Sequence, residues 1–133
     1  MSAGHVIIAT REPNEIVVLD TIRSMGLELE IIFNKGAVMI LPSGVNKATG
    51  LDAGLKELGF SAETCVGAGD AENDHAFLSF CGFGAAVANA LPMLKGRADL
   101  VTTASHGAGV AELIERLLTD DLASAAPASW RRV

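Results

Sequence analysis

The sequence predicts an α/β fold: a short parallel sheet with flanking helices, preceded by a small β-α-β-β lobe. Three observations carry this. From residue 46 onward, helical periodicity alternates with short apolar runs, the pattern of parallel β-α units with right-handed crossovers. Before residue 42, one strand, one helix and a hairpin signal follow in order. Between the two, Pro42-Ser-Gly44 breaks the pattern and marks a lobe boundary, giving units of 1–44 and 45–119 with a frayed Ala/Ser-rich tail over 120–133 that includes Trp130.

Each element has its own signal. His5 to Thr10 is a β-branched run and reads as a strand. Ile16, Leu19, Ile22 and Met25 recur at helical spacing, with Asn14 as N-cap and Gly26 as stop. Leu27, Leu29 and Ile31 alternate with Glu28 and Glu30, as in a strand with one wet face. Asn34-Lys-Gly36 signals a turn into a strand over Ala37 to Leu41. In the second unit, Asn46 to Leu58 reads as a helix with Leu51, Leu55 and Leu58 on one face, closed by Gly59. Strands follow at 64–68, 85–88 and 99–102, with helices over 71–80, 91–95 and 109–118 between and after them.

Composition narrows the function classes. Half of the 133 residues are apolar and 20% are charged, enough for a packed core. A net charge of −6 repels a phosphate backbone, and the absence of Tyr leaves few stacking platforms, so no nucleic-acid partner is expected. The longest apolar stretch, Phe83 to Leu94, contains Asn89 and Pro92 and is too short to span a bilayer, so no membrane partner is expected either. No basic segment precedes an apolar one at the N-terminus, which points to the cytoplasm. Cys65 and Cys81 are too few for a disulfide scaffold and read as reduced thiols.

The chemistry concentrates in Val66-Gly-Ala-Gly-Asp70-Ala-Glu-Asn-Asp74-His75. A strand runs through two glycines into acids at the start of a helix, where open parallel sheets bind ligands. Asp70, Glu72 and Asp74 place three carboxylates within five positions, and a hard divalent cation such as Mg²⁺ would offset their repulsion. The alternative is structural: Asp70 as an N-cap, with acids in the first turn favouring the helix dipole. Lys47 opposes the dipole of its helix, at a cost of about 0.3–1 kcal/mol, and suits a bound phosphate; it also suits a solvated surface lysine. Gly67 and Gly69 form a G-x-G, but Glu72 stands where a dinucleotide fingerprint needs its third glycine. Ser105-His106 precedes the last helix and reads as an N-cap rather than a nucleophile–base pair, since no third group is identifiable. His5, His75 and His106 have no zinc-ligand spacing.

In order along the chain, Asn46-Lys47-Ala-Thr-Gly50-Leu51, Gly69-Asp70-Ala-Glu-Asn73-Asp74, Asn89-Ala90, Ala98-Asp99-x-Val101-Thr102 and Gly109-Val110 resemble the C-terminal half of haloacid dehalogenase-like phosphatases. The match is to the Cof-type subgroup, which carries an α+β cap within its core. The resemblance implies a partial Rossmannoid core over 45–118 and a cap remnant before it. It implies that Lys47 contacts phosphate, that Asn73 helps bind it, that Asp70 and Asp74 ligate Mg²⁺, and that the substrate is a small phosphomonoester. Asn89 is expected at the same mouth. Glu72 fills a variable position. The family's D-x-D-G-T, which supplies the nucleophile and the acid-base, is absent from this sequence. Asp20 lacks a second Asp two residues on and fits the helix, and Thr10-Arg11 falls in the cap rather than in the second motif. The chain is therefore expected to be a phosphohydrolase by family but to have no nucleophile and no turnover alone; the alternative is a non-catalytic, oligomeric binding module. A homodimer is expected, because the missing strand leaves a sheet edge bare.

Overall fold

A computed structural model describes residues 1–125. Two sheets organise the chain. The first is antiparallel, with order β1-β2-β4-β3, built from β1 (Ser2–Ala3), β2 (Ile8–Arg11), β3 (Leu29–Asn34) and β4 (Ala37–Pro42). Helix α1 (Glu15–Met25) connects β2 to β3. The β-α-β-β order is as expected, and β1, too short to leave a signal, adds an edge through Ser2–Ala9 and Ala3–Ile8 pairs. In the β3–β4 turn Lys35 (φ +48°) and Gly36 (φ +82°) are both left-handed, the geometry that matches a two-residue turn to strand twist.

The second sheet is parallel, with order β5-β6-β7, from β5 (Val66–Gly69), β6 (Phe83–Ala86) and β7 (Leu100–Val101). Its strands lie side by side as the alternation of helices and apolar runs predicts, each shorter or shifted by one to two residues. Helices α2 (Lys47–Leu58), α3 (His75–Phe80), α4 (Pro92–Lys95) and α5 (His106–Asp120) complete the unit. The expected helix over 71–80 divides into a 3₁₀ turn, Glu72–Asp74, and α3. β6 is the centre: Ala86 packs with Leu78, Val87, Ala90 and Leu94 on one face, Ala85 with Leu113 and Leu122 on the other. A parallel strand covered on both faces needs small or apolar residues throughout, as Gly84-Ala-Ala supplies. The close approach of α5 also fixes Gly109, where a Cβ would run into the carbonyl oxygen of Ala104 and the hydroxyl of Thr102.

Several expectations change. In α1 the stripe Ile16, Leu19 and Met25 faces outward and is exposed; only Ile22 of that set turns inward, with Val18. The outward stripe has no covering surface among the described residues. Leu58 is exposed although Leu55 is buried, because α2 outlasts its support. β3 has no uniformly wet face, since Ile32 pairs with Met39 while Leu27 lies outside the strand and is exposed. The chain past residue 119 is not free at its start: Leu122 is buried against Ala85 and Leu113. Trp130 and the rest of the expected tail lie outside the described residues. Cys81 is buried, and neither cysteine is in a disulfide. No helix among the described residues is long and apolar enough to cross a membrane.

Candidate functional site

Asn46 fixes the first turn of α2. Its side-chain oxygen accepts from the Ala48 and Thr49 amides at 2.9 and 3.1 Å, and the Thr49 hydroxyl accepts from the Asn46 amide at 2.9 Å. That turn carries Lys47, whose ammonium donates to Asp74 Oδ1 and, at 3.3 Å, to Asn73 Oδ1. Asp74 is 5% exposed, and its Oδ2 accepts from the Asp70 and Ala71 amides at 2.9 and 3.1 Å. Burial pushes the Asp74 carboxyl up; the hydrogen bonds from Lys47, Asp70 and Ala71 and the Lys47 charge outweigh it and hold the group below the ordinary carboxylate range. Asp74 thus ties down the backbone of its own turn, the structural role that the sequence offers to Asp70. Gly69 makes room for this: a Cβ there would lie 2.7 Å from the Asp74 Cβ. The G-x-G serves close packing, not a pyrophosphate.

Asp70 stands at the end of β5 with its carboxylate turned to other partners. Its Oδ2 accepts from Lys35 Nζ at 2.5 Å and from Asn89 Nδ2 at 3.4 Å. Asn89 in turn accepts at Oδ1 from the His106 amide at 2.7 Å, so one side chain links the loop after β6 to the start of α5. Ser105 occupies the N-cap position of α5 without a side-chain cap bond. Instead Glu112 reaches back and accepts from the Thr103 and Ala104 amides at 2.9 and 3.0 Å, which fixes the loop ahead of His106. The backbone bond from Ala104 is the main reason the Glu112 carboxyl is held low, with burial opposing it.

Lys47, Gly69, Asp70, Asp74, His106 and Val110 line one open cleft of about 330 Å³. The structure brings Lys47, Asn73, Asp70 and Asp74 together from two chain segments, with Asn89 beside Asp70. Asp20 lies apart, exposed on α1. Thr10 belongs to β2 and accepts from Asn14 at 3.0 Å. Two contributors, Lys35 and Glu112, carried no sequence signal of function, and His106 reads chiefly as part of a helix start. Lys35 reads only as a turn residue. His106 adopts φ +54° at the mouth of the cleft, and Glu112 acts through backbone amides eight and nine residues earlier.

The donor set bears on a metal. Asp74 has three hydrogen bonds on its two oxygens, whereas both side-chain bonds to Asp70 fall on Oδ2, leaving Oδ1 as the more open oxygen. Among the described residues no three His, Cys, Asp or Glu side chains are grouped to hold an ion. Of the two acids, Asp70 thus keeps an oxygen open to a hard cation of the kind that completes its shell with water, while Lys47 and two amides occupy Asp74.

Comparison with known proteins shows the family to which the chain belongs. The family profile described as haloacid dehalogenase-like hydrolase matches residues 7–114. A protein from Methanothermobacter thermautotrophicus named phosphoglycolate phosphatase is 39% identical over 101 residues, 74% of this chain and 46% of its own length. One from Saccharolobus solfataricus named phosphoglycolate phosphatase 2 is 41% identical over 87 residues, 65% of this chain and 36% of its own. A haloacid dehalogenase-like hydrolase structure from Bacteroides thetaiotaomicron superposes with a TM-score of 0.67 at 30% identity, covering 84% of this chain and 42% of that one. The chain thus spans less than half the length of each. Since the profile match runs from β2 into α5 and takes in every side chain of the cleft, the chain belongs to the haloacid dehalogenase-like hydrolase family.

Proposed function

We propose that this chain carries the phosphate-binding and metal-binding part of a phosphomonoesterase site, with Lys47 and Asn73 toward phosphate and Asp70 and Asp74 toward Mg²⁺. The observation that supports it most is the Lys47 ammonium held on the buried Asp74 carboxylate beside Asn73, at the carboxyl end of a parallel strand. Lys47 presents a fixed positive charge to phosphate oxygens. The Asn73 amide oxygen is taken by Lys47, which leaves its NH₂ as a donor. Asp70, steadied by Asn89, faces the same cleft. Mg²⁺, when bound, neutralises charge on the transferring phosphoryl group. The relatives' name makes phosphoglycolate the first small phosphomonoester to test.

Phosphoryl transfer also needs an attacking group, and this sequence contains no D-x-D-G-T. The chain alone is therefore expected to bind inorganic phosphate with Mg²⁺ but to release none from phosphoglycolate or sugar phosphates above background. In calorimetric titration with phosphate, Lys47→Ala is expected to weaken binding about 10-fold or more, the loss of one charge-assisted hydrogen bond. Unchanged binding in Lys47→Ala sinks the site. Robust turnover by the chain, abolished by Asp20→Asn, sinks the reading that it lacks a nucleophile.

The missing motif favours a second reading, a non-catalytic module that works as an oligomer. β5 pairs with β6 on one side only, so its other edge has open backbone groups among the described residues. A homodimer that covers this edge, the β3–β4 hairpin or the exposed stripe of α1 is the assembly we infer.

A further inference from the structure

The tip of the β3–β4 hairpin meets the acidic loop at two points. Lys35 Nζ lies 2.5 Å from Asp70 Oδ2, and the Lys35 backbone amide donates to Glu72 Oε2 at 3.0 Å. Residue 35 lies in the turn between β3 and β4 of one sheet and residue 70 just past β5 of the other, so these bonds join the hairpin to the loop that follows β5. The 3₁₀ turn Glu72–Asp74 packs against β3 as well. Glu72, which occupies a variable position in the resemblance, thus acts locally by receiving the hairpin's main chain. The Lys35 side chain delivers a positive charge to Asp70, the carboxylate whose other oxygen is the more open of the site.

We propose that Lys35 is an internal counter-ion of Asp70 that a divalent cation displaces, so that seating of the hairpin tip and metal binding at Asp70 compete. This rests on the reading of Asp70 as a metal ligand. The two charges cannot occupy one carboxylate without repelling each other. The pair is also exchangeable: the Lys35 side chain is 54% exposed and that of Asp70 33%, so water and salt screen their attraction. Asp74 offers no such exchange, because Lys47 and two backbone amides hold it. Lys35 is a positioning residue here, acting on the cation only through Asp70.

The test uses the full chain and Mn²⁺, whose free fraction is read by electron paramagnetic resonance. Removing the competitor in Lys35→Ala is expected to tighten Mn²⁺ binding about two- to fivefold, the range for one exposed charge pair. Lys35→Arg, which keeps the charge, is expected to bind as the unaltered chain does. Lys56→Ala, which removes a lysine paired with Asp52 on α2, controls for net charge and is expected to change nothing. Asp70→Asn is expected to lose the binding. A parallel Mg²⁺ titration followed by amide resonances should shift the Lys35 amide and speed its exchange with solvent, and should leave it unmoved in Asp70→Asn. Binding that is lost in Asp70→Asn but unchanged or weaker in Lys35→Ala overturns the inference alone. An equal gain in Lys56→Ala and Lys35→Ala also overturns it. Binding indifferent to Asp70→Asn overturns the reading of Asp70 as a ligand, and this inference with it.

Discussion

Helices α1 and α5 are both apolar and amphipathic in sequence, yet they sit very differently in the molecule. α5 buries Leu113 against β6 and Gly109 against Thr102 and Ala104, and is anchored by Glu112 to the loop before it. α1 buries no residue fully, and its Ile16, Val17, Leu19 and Met25 lie 53–66% exposed. The difference lies in what each helix packs on. The parallel sheet is covered on both faces and takes up Leu113 of α5, although Ile114 and Leu118 of the same helix stay exposed. Of the apolar side chains of α1, only Val18 and Ile22 are half-buried. Periodicity shows that a helix has an apolar stripe; it does not show whether the surface for that stripe is in the same chain.

The largest effect that sharpens this contrast comes from the well-covered side. Leu94 is 1% exposed within the cluster under β6. Leu94→Ala is expected to cost about 2–5 kcal/mol in urea unfolding, the transfer term plus a cavity. A loss below about 1 kcal/mol would mean that this face of the sheet is as loosely supported as α1.

How much of the site is legible in the sequence follows the same division. Lys47, Asn73 and Asp74 are legible because each lies in a motif at the end of a regular element, and the parallel topology brings those ends together. The division of structural work between Asp70 and Asp74 is not. Which acid takes the backbone amides depends on the 3₁₀ turn at 72–74, and the sequence reads only as a continuous helix there. Lys35 is invisible for a stronger reason: its partner is 35 residues away, in the loop that follows a strand of the other sheet. Short-range pattern carries no information about such a contact. The helix ends at Gly26 and Gly59 are readable, because both adopt the left-handed conformation that glycine favours.

A middle-sized effect tests whether Lys47 supports the fold as well as the site. Lys47→Ala leaves a buried carboxylate short of its cation, with an expected loss of about 1–2 kcal/mol after allowance for the half-exposed ammonium. The sign with pH follows from the lowered Asp74 carboxyl. A group depressed in the folded state stabilises above its unfolded pKa and stops doing so as pH falls through its folded value. The gap between the two proteins should therefore be full at neutral pH and close as the solution is acidified through and below the carboxylate range. Urea midpoints across that range measure it. A gap that stays constant in acid would show that Lys47 acts by packing its stem.

The smallest expected effect on stability is the one that says most about α1. Val17 and Leu19 face solvent, and replacing both by Ser in a lone chain should move the urea midpoint by the equivalent of about 0.5 kcal/mol or less. Their contribution should emerge elsewhere. Four large apolar side chains on one exposed helix, together with an open strand edge at β5, are more than a chain standing alone in water ordinarily shows. A second copy closing over α1 removes that surface symmetrically. Light scattering at micromolar concentration is then expected to give twice the chain mass for the unaltered protein and a value falling toward one chain for the double Ser variant. A dimer that survives both substitutions would place the contact at the β5 edge or the hairpin instead. A single-chain mass for the unaltered protein would show that α1 stays bare in solution, and the homodimer would have to be given up.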